Sequence, residues 1–299
     1  MSNKTKNILF RADSSSLIGT GHIMRDLVLA KQYLKADITF ATQELDGHIN
    51  HKIIEFGYEL KKLKSNDIKE LDKLIKKLSI DMIVIDHYGI DYSFEKKLKE
   101  KNPNLIILCL DDTYEKHHCD ILLNHNIYAN TSKYKNLVPK YCELRCGSQY
   151  TLLREEFLKE KEITRKLSKN INIFVAMGGT DVANINTKVL KVLAKFNNIE
   201  VNIVTTNANE NLDTLKKYIK NKVWIKLHID STKIAKLMGK SDFSIVTPSV
   251  TLNELFYLKK PFIAIKVAKN QETMYQYIQK KKLPVLNIFD ENILLKYVK

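Results

Sequence analysis

Arginine is scarce in this chain of 299 residues: it supplies five of the 49 basic side chains, and lysine supplies the rest. A formal net charge of +15 would otherwise suggest nucleic acid or a membrane surface as a partner. Forked recognition of bases and phosphates depends on guanidinium groups, which are few here. The lysines alternate with Asp, Glu and Leu along segments such as 70–77 and 94–101, the pattern of solvated helix faces. No zinc-finger, RRM or basic-zipper spacing accompanies them. Nucleic acid is therefore not expected as a partner, and the charge excess is read as help in attracting an anionic small molecule.

Other absences narrow the field further. No apolar run approaches the ~20 residues of a membrane span, so no stable membrane insertion is expected. Residues 1–6 carry no apolar stretch of the secretory kind, which points to the cytoplasm. Four cysteines, Cys109, Cys119, Cys142 and Cys146, are too few for a disulfide framework in a chain of this length, and Cys109 sits in an apolar run as a small hydrophobe. His117, His118, Cys119, Cys142 and Cys146 include possible zinc ligands, yet Cys142-x-x-x-Cys146 is not a usual zinc-knuckle spacing, and no metal site is assigned. Nor does any Asp-x-Asp pair occur, which removes the usual carboxylate clamp for a metal-bound nucleotide diphosphate. No cofactor is expected.

What is present is alternation. Short apolar runs and longer amphipathic ones succeed each other from end to end, the signature of βαβ units and parallel sheets. The spacing predicts strands at 8–11, 38–41, 82–85, 105–110 and 121–123, with helices at 22–34, 47–56, 68–78 and 92–101. Residues 126–170 break the rhythm and include a charged helix at 154–166. The pattern then restarts with a strand at 171–177 and a helix at 185–196, followed by strands at 201–205, 223–227, 243–247 and 262–267 and a helix at 232–238. The expected organisation is α/β: a doubly wound N-terminal domain over 1–150, a connecting helix and linker over 151–170, and a second doubly wound domain over 171–299.

Each half carries a glycine turn after its first strand. In Gly19-Thr20-Gly21-His22 the turn delivers a histidine to the start of a helix, where unpaired N–H groups and the dipole suit an anion and favour a neutral, basic imidazole. Met24 stands where the dinucleotide fingerprint has its third glycine, so NAD is discounted. Asp86-His87-Tyr88-Gly89 and Asp111-Asp112 close two other strands, at the sheet edge where α/β proteins bind ligands. In the second half, Gly178-Gly179-Thr180-Asp181 forms the matching turn. Ser249 and Thr251 open a helix whose N–H groups could hold a pyrophosphate, and Glu254 lies one turn in, where it could accept bonds from ribose hydroxyls. Taken in isolation, an ordinary N-cap at Ser249 or Thr251 and a dipole-favoured acid at Glu254 explain these residues more readily than ligand binding does.

The order of these pieces resembles the GT-B glycosyltransferase architecture, two Rossmann-like domains with an interdomain cleft, and in particular its MurG-like group. The set Phe10-Arg11-Ala12-Asp13-Ser14-Ser15-Ser16, Gly19-Thr20-Gly21-His22-Ile23-Met24-Arg25, Ile85-Asp86-His87-Tyr88-Gly89, His117-His118-Cys119-Asp120 and Met177-Gly178-Gly179-Thr180-Asp181 is similar to the PseG family. These are the UDP-2,4-diacetamido-2,4,6-trideoxy-β-L-altropyranose hydrolases of pseudaminic acid biosynthesis. The similarity runs to about Gln271, and residues 283–299 fall outside it. It implies an inverting, metal-independent UDP-sugar hydrolase acting as a monomer, with His22 as base and Tyr88 positioning water or sugar. It also implies that Asp13, Gly21, Arg25, Gly179, Thr180, Ser249, Val250, Asn253, Glu254 and Asn270 surround the substrate. A MurG-like transferase using a UDP-sugar donor would share nearly all of these features.

Overall fold

The computed structural model describes residues 5–161, 163 and 169–299. The chain divides into two compact units, Met1–Leu152 and Leu153–Lys299. In the first, β1 (Lys6–Ala12), α1 (Gly21–Ala30), β2 (Ala36–Thr42), α2 (Asn50–Glu55), β3 (Glu59–Lys62), α3 (Ile68–Lys77), β4 (Met82–Asp86), α4 (Tyr92–Lys101), β5 (Ile106–Leu110), β6 (Ile121–Asn124) and β7 (Glu143–Cys146) follow in order. Among the described residues they form a seven-stranded sheet ordered β3-β2-β1-β4-β5-β6-β7, with every pairing parallel.

Parallel strands covered on both faces read as continuous apolar runs, and successive side chains feed opposite cores. Leu9, Ile83, Ile85, Ile107 and Leu122 enter one core with Leu71, Ile75 and Leu98 of α3 and α4. Ile8, Phe10, Phe40, Val84 and Leu108 enter the other with Ile23 and Leu27 of α1. The strands predicted inside these runs are all present. The two edge strands were missed, since β3 reads Glu-Leu-Lys-Lys and β7 reads Glu-Leu-Arg-Cys, charged sequences of the kind that protects a sheet edge. Helix α1 ends at Ala30 instead of Leu34. The chain tightens through Gln32 N–H to Leu29 O and Tyr33 N–H to Ala30 O, while Tyr33 packs edge-on against Phe10.

The second unit contains α5 (Glu155–Lys161), β8 (Ile171–Ala176), α6 (Ile185–Leu193), β9 (Ile199–Thr205), α7 (Leu212–Ile219), β10 (Ile225–Ile229), α8 (Ile234–Lys240), β11 (Phe243–Val246), α9 (Val250–Leu258), β12 (Phe262–Ile265), α10 (Glu272–Lys280), β13 (Val285–Leu286) and α11 (Glu291–Val298). Its described strands form a parallel sheet ordered β10-β9-β8-β11-β12-β13. Of the helix expected over 154–166, α5 is seen, and residues 162 and 164–168 lie outside the described residues. Helix α5 packs on α8 and α9. The C-terminal stretch that lay beyond the family resemblance completes this unit: β13 adds to the β12 edge, and α11 packs against α6 with Leu294 buried. Among the described residues no helix is long and apolar enough to cross a membrane.

Candidate active site

In both sheets the strand order reverses between two central neighbours, β1 with β4 and β8 with β11, and such a switch point opens a crevice at the strands' carboxyl ends. In the first unit Ala12, the last residue of β1, pairs with Asp86, the last of β4. The turn from β1 into α1 is a small hairpin. Ser15 and Gly19 bond to each other through their backbones, and the Ser15 hydroxyl accepts from the N–H groups of Leu17 and Ile18. Gly19 sits at φ +84°, a conformation glycine tolerates, whereas Gly21 opens α1 with an ordinary φ and open space where a Cβ would stand. Among the described residues no side chain caps α1, so the Thr20 hydroxyl does not take its first N–H groups.

His22, in the first turn of α1, is brought by this hairpin to the end of β4. Its Nδ1 lies 2.7 Å from Asp86 Oδ1. Arg25, three residues along the same helix, donates its Nε to Asp86 Oδ2 at 2.5 Å, donates Nη2 to Oδ1, and reaches Asp112 Oδ2 with Nη1 at 3.0 Å. Burial pushes the Asp86 carboxyl up, but the charge and bonds of Arg25, with those of His22, more than offset this and leave it well below the usual carboxylate range. An ionised Asp86 can only accept, so Nδ1 carries the proton. The 3.2 Å approach of Arg25 Nη2 to the same nitrogen is then a close contact between two donors. His22 is 6% exposed, and its Nε2 makes no hydrogen bond among the described residues and is not sealed from solvent. The ring therefore offers a lone pair at Nε2.

Tyr88 stands over this pair. Its ring meets His22 edge-on at 4.8 Å and 87°, and its hydroxyl donates to Asp112 at 3.0 Å. Loss of solvation and the Asp112 charge push the phenol up, so it stays a donor at neutral pH. Below the ring, Asp26 lies one helical turn from His22 and is fully buried, with neither oxygen bonded among the described residues. Burial and the Asp86 charge push its carboxyl well above the usual range, which keeps it neutral. His125 is buried too and is pushed down to about 3 by burial and by Arg25, so it also carries no charge.

Asp13 differs from the expectation that it surrounds substrate. It is 1% exposed, and both oxygens are taken: Arg11, itself wholly buried, binds it twice at 2.7 and 2.8 Å, Gln43 N donates at 2.7 Å, and His87 Nε2 donates at 3.0 Å. The His87 tautomer follows from its other nitrogen, which accepts from Gly89 N. Asp13 thus holds the loops around the crevice and has no free oxygen to offer. Asp111 and Asp112, adjacent on an extended chain, point apart as expected: Asp111 turns inward to Tyr134, Thr113 and Tyr114, and Asp112 to Arg25 and Tyr88.

The residues weighed as zinc ligands separate into other contacts. Glu95 accepts from His117 Nδ1 at 2.7 Å, from Cys109 Sγ at 3.2 Å and from His118 N. Glu95, Cys109 and His117 lie close enough to share an ion; burial pushes His117 down, and Asp111 and Glu95 more than offset this and raise it to about 9. Cys119 Sγ is 3.7 Å from Cys142 Sγ.

In the second unit, the turn after β8 contains Gly178 at φ +86°, Gly179 and the exposed Thr180. The start of its helix is already filled, because Asp181 accepts from Ile185 N at 2.7 Å and Asn186 N at 3.1 Å. Across the switch point, at the start of α9, no side chain caps the helix among the described residues. There Ser249 bonds sideways to Thr247 and Thr251 instead of capping the helix, and Val250 is exposed. Glu254 follows one turn in, its side chain 17% exposed and bonded to Arg154 Nη2 at 3.1 Å. Asn253 faces inward at 3% exposure, and Asn270 is exposed in a short 3-10 turn over Lys269–Gln271. Asp86 and Arg154 are the groups that sequence reasoning passed over or did not assign. A strand-final Asp facing the helix-initial His at the switch point was the available signal for the first.

No protein-family model matches the chain. Among solved structures, MurG of Acinetobacter baumannii superposes with a TM-score of 0.66 at 11% identity, covering 98% of this chain and 90% of that one, which shows the GT-B fold. An uncharacterised protein of Methanocaldococcus jannaschii is 30% identical over 93% of this chain and 60% of its own length. The UDP-2,4-diacetamido-2,4,6-trideoxy-β-L-altropyranose hydrolase of Campylobacter jejuni is 45% identical over 92% of this chain and 96% of its own length. The chain therefore belongs to the family of UDP-2,4-diacetamido-2,4,6-trideoxy-β-L-altropyranose hydrolases.

Proposed function

We propose that the protein hydrolyses UDP-2,4-diacetamido-2,4,6-trideoxy-β-L-altropyranose at its anomeric carbon, releasing UDP and 2,4-diacetamido-2,4,6-trideoxy-L-altrose. The observation that carries this reading is the His22–Asp86 pair, in which the carboxylate fixes the imidazole with Nε2 available as a general base. His22 Nε2 takes a proton from water, the water oxygen bonds to the anomeric carbon, and the bond from that carbon to the diphosphate oxygen breaks with its electron pair leaving on UDP. Attack opposite the leaving group inverts the anomeric centre. Asp86 stabilises the imidazolium, which then returns its proton to solvent. UDP is a good leaving group, so no carboxylic acid is needed to protonate it strongly, and N–H groups at a helix start can steady its charge. The absence of any Asp-x-Asp clamp supports a route that does not depend on a metal.

Tyr88 positions the water or the sugar, Arg25 acts on His22 through Asp86, and Gly21 lets the ligand approach the start of α1. Glu254 receives the ribose hydroxyls, while Ser249, Val250, Asn253, Gly179, Thr180 and Asn270 surround the nucleotide. The protein is proposed to act as a monomer in the cytoplasm. Proton NMR of the UDP-sugar incubated with the protein in acceptor-free buffer tests the activity: steady release of UDP and free sugar supports hydrolysis. Release that begins only when a sugar or lipid acceptor is added would identify a MurG-like transferase instead.

A further inference from the structure

We infer that Arg154 is a positioning residue for nucleotide binding, anchoring the Glu254 carboxylate as the anion that receives the ribose hydroxyls. The inference rests on the reading of Glu254 given above. Arg154 immediately precedes α5, and the packing of α5 on α9 brings it to the second turn of α9, where Nη2 meets Glu254 Oε1 at 3.1 Å. The guanidinium is itself held in place. Its Nη1 bonds Glu156 at 2.6 Å, and its plane lies 5.0 Å from the ring centre of Phe157, which is wholly buried.

A carboxylate in a largely buried setting tends to take up a proton. Burial pushes Glu254 up to about 7, with Arg154 opposing the rise and Glu156 adding to it. Among the described residues these two are the charged groups that act on it. Further along α5, Lys161 lies over the Tyr257 ring of α9, and Glu160 packs beside Gly239 of α8. The ionisation state matters for the ligand, because a carboxylate offers acceptors to both ribose hydroxyls, whereas the protonated acid spends one oxygen as a donor. Without Arg154, Glu254 would take up a proton more readily still, and the protonated acid cannot accept from both hydroxyls at once.

The test compares affinities for uridine by NMR titration and for UDP by calorimetry, from pH 6 to pH 9, in the wild type and in Arg154→Gln, Arg154→Lys and Glu254→Gln. Arg154→Gln is expected to weaken both ligands about 10-fold at pH 6, the scale of a lost charge-assisted bond, with the deficit closing toward pH 9 as Glu254 ionises unaided. Arg154→Lys should recover most of the affinity. A deficit that does not vary with pH, one confined to UDP, or no deficit would overturn the inference, the second because it marks a direct contact with phosphate. Glu254→Gln separates the two layers. If it leaves uridine binding unchanged, the ribose reading itself fails; if it weakens binding while Arg154→Gln does not, only the role of Arg154 fails.

Discussion

His22 Nδ1 lies 2.7 Å from Asp86 Oδ1, and the carboxylate that holds the ring is clamped in turn by Arg25 through both of its oxygens. A base, an orienting acid and a cation that keeps the acid ionised come from the first two turns of one helix and the end of the neighbouring strand. The arrangement fixes which nitrogen carries the proton before any substrate arrives.

Replacing Asp86 by Asn should therefore disable catalysis without emptying the site. The amide can donate to Nδ1, which moves the proton to Nε2 and removes the lone pair that faces water. Turnover is expected to fall at least ~10²-fold, the scale of losing a general base, while UDP affinity measured by calorimetry stays near that of the wild type. A variant with normal turnover would show that the tautomer does not matter.

Asp13 should behave as a structural residue. Truncation to Ala leaves the buried Arg11 guanidinium without its carboxylate, and a stranded buried charge costs about 3–5 kcal/mol. Chemical denaturation should show that loss directly. A stable Asp13→Ala protein with weakened UDP-sugar binding would return Asp13 to the list of substrate contacts.

The sequence carried much of this fold and less of its site chemistry. Central strands were legible because burial on both faces makes them apolar throughout, as in Met82-Ile83-Val84-Ile85, and α4 was legible to the residue because Asp91 caps it and Phe94 and Leu98 repeat at helical spacing. The edge strands β3 and β7 carry charge where periodicity looks for hydrophobes. His22 and Glu254 were placed by helix starts and turns, which are local signals. The Arg25–Asp86 and Arg154–Glu254 pairs depend on how strand ends and helices meet, with partners 61 and 100 residues apart, and no local pattern announces them.

The two glycines of the first turn should separate in their effects. Gly19→Ala places a Cβ at φ +84° and is expected to cost about 1 kcal/mol of stability. Gly21→Ala meets open space at an ordinary φ, so melting should be unchanged. If substrate approaches that backbone closely, Gly21→Ala raises KM; an unchanged KM places the ligand elsewhere.

Two histidines should shape stability against pH in opposite directions. His117 is raised from 6.5 to about 9, so its contribution is complete below pH ~6.5 and fades as pH climbs through about 9, by no more than ~3 kcal/mol. His125 is lowered to about 3, so stability is lost as pH falls from ~6.5 toward 3, where the unfolded chain binds a proton that the folded one refuses. Urea unfolding across this range should show His117→Gln flattening the alkaline side and His125→Asn flattening the acid side. Slopes unchanged by either substitution would mean that neither ring titrates as its surroundings dictate.

The most direct measurement is the rate of UDP release from the UDP-sugar in acceptor-free buffer, followed by proton NMR for the wild type and His22→Asn, with UDP affinity measured alongside. The account predicts steady release of UDP and inverted free sugar by the wild type, and a rate at least ~10²-fold lower in His22→Asn with UDP still bound normally. Undiminished release by His22→Asn would contradict it.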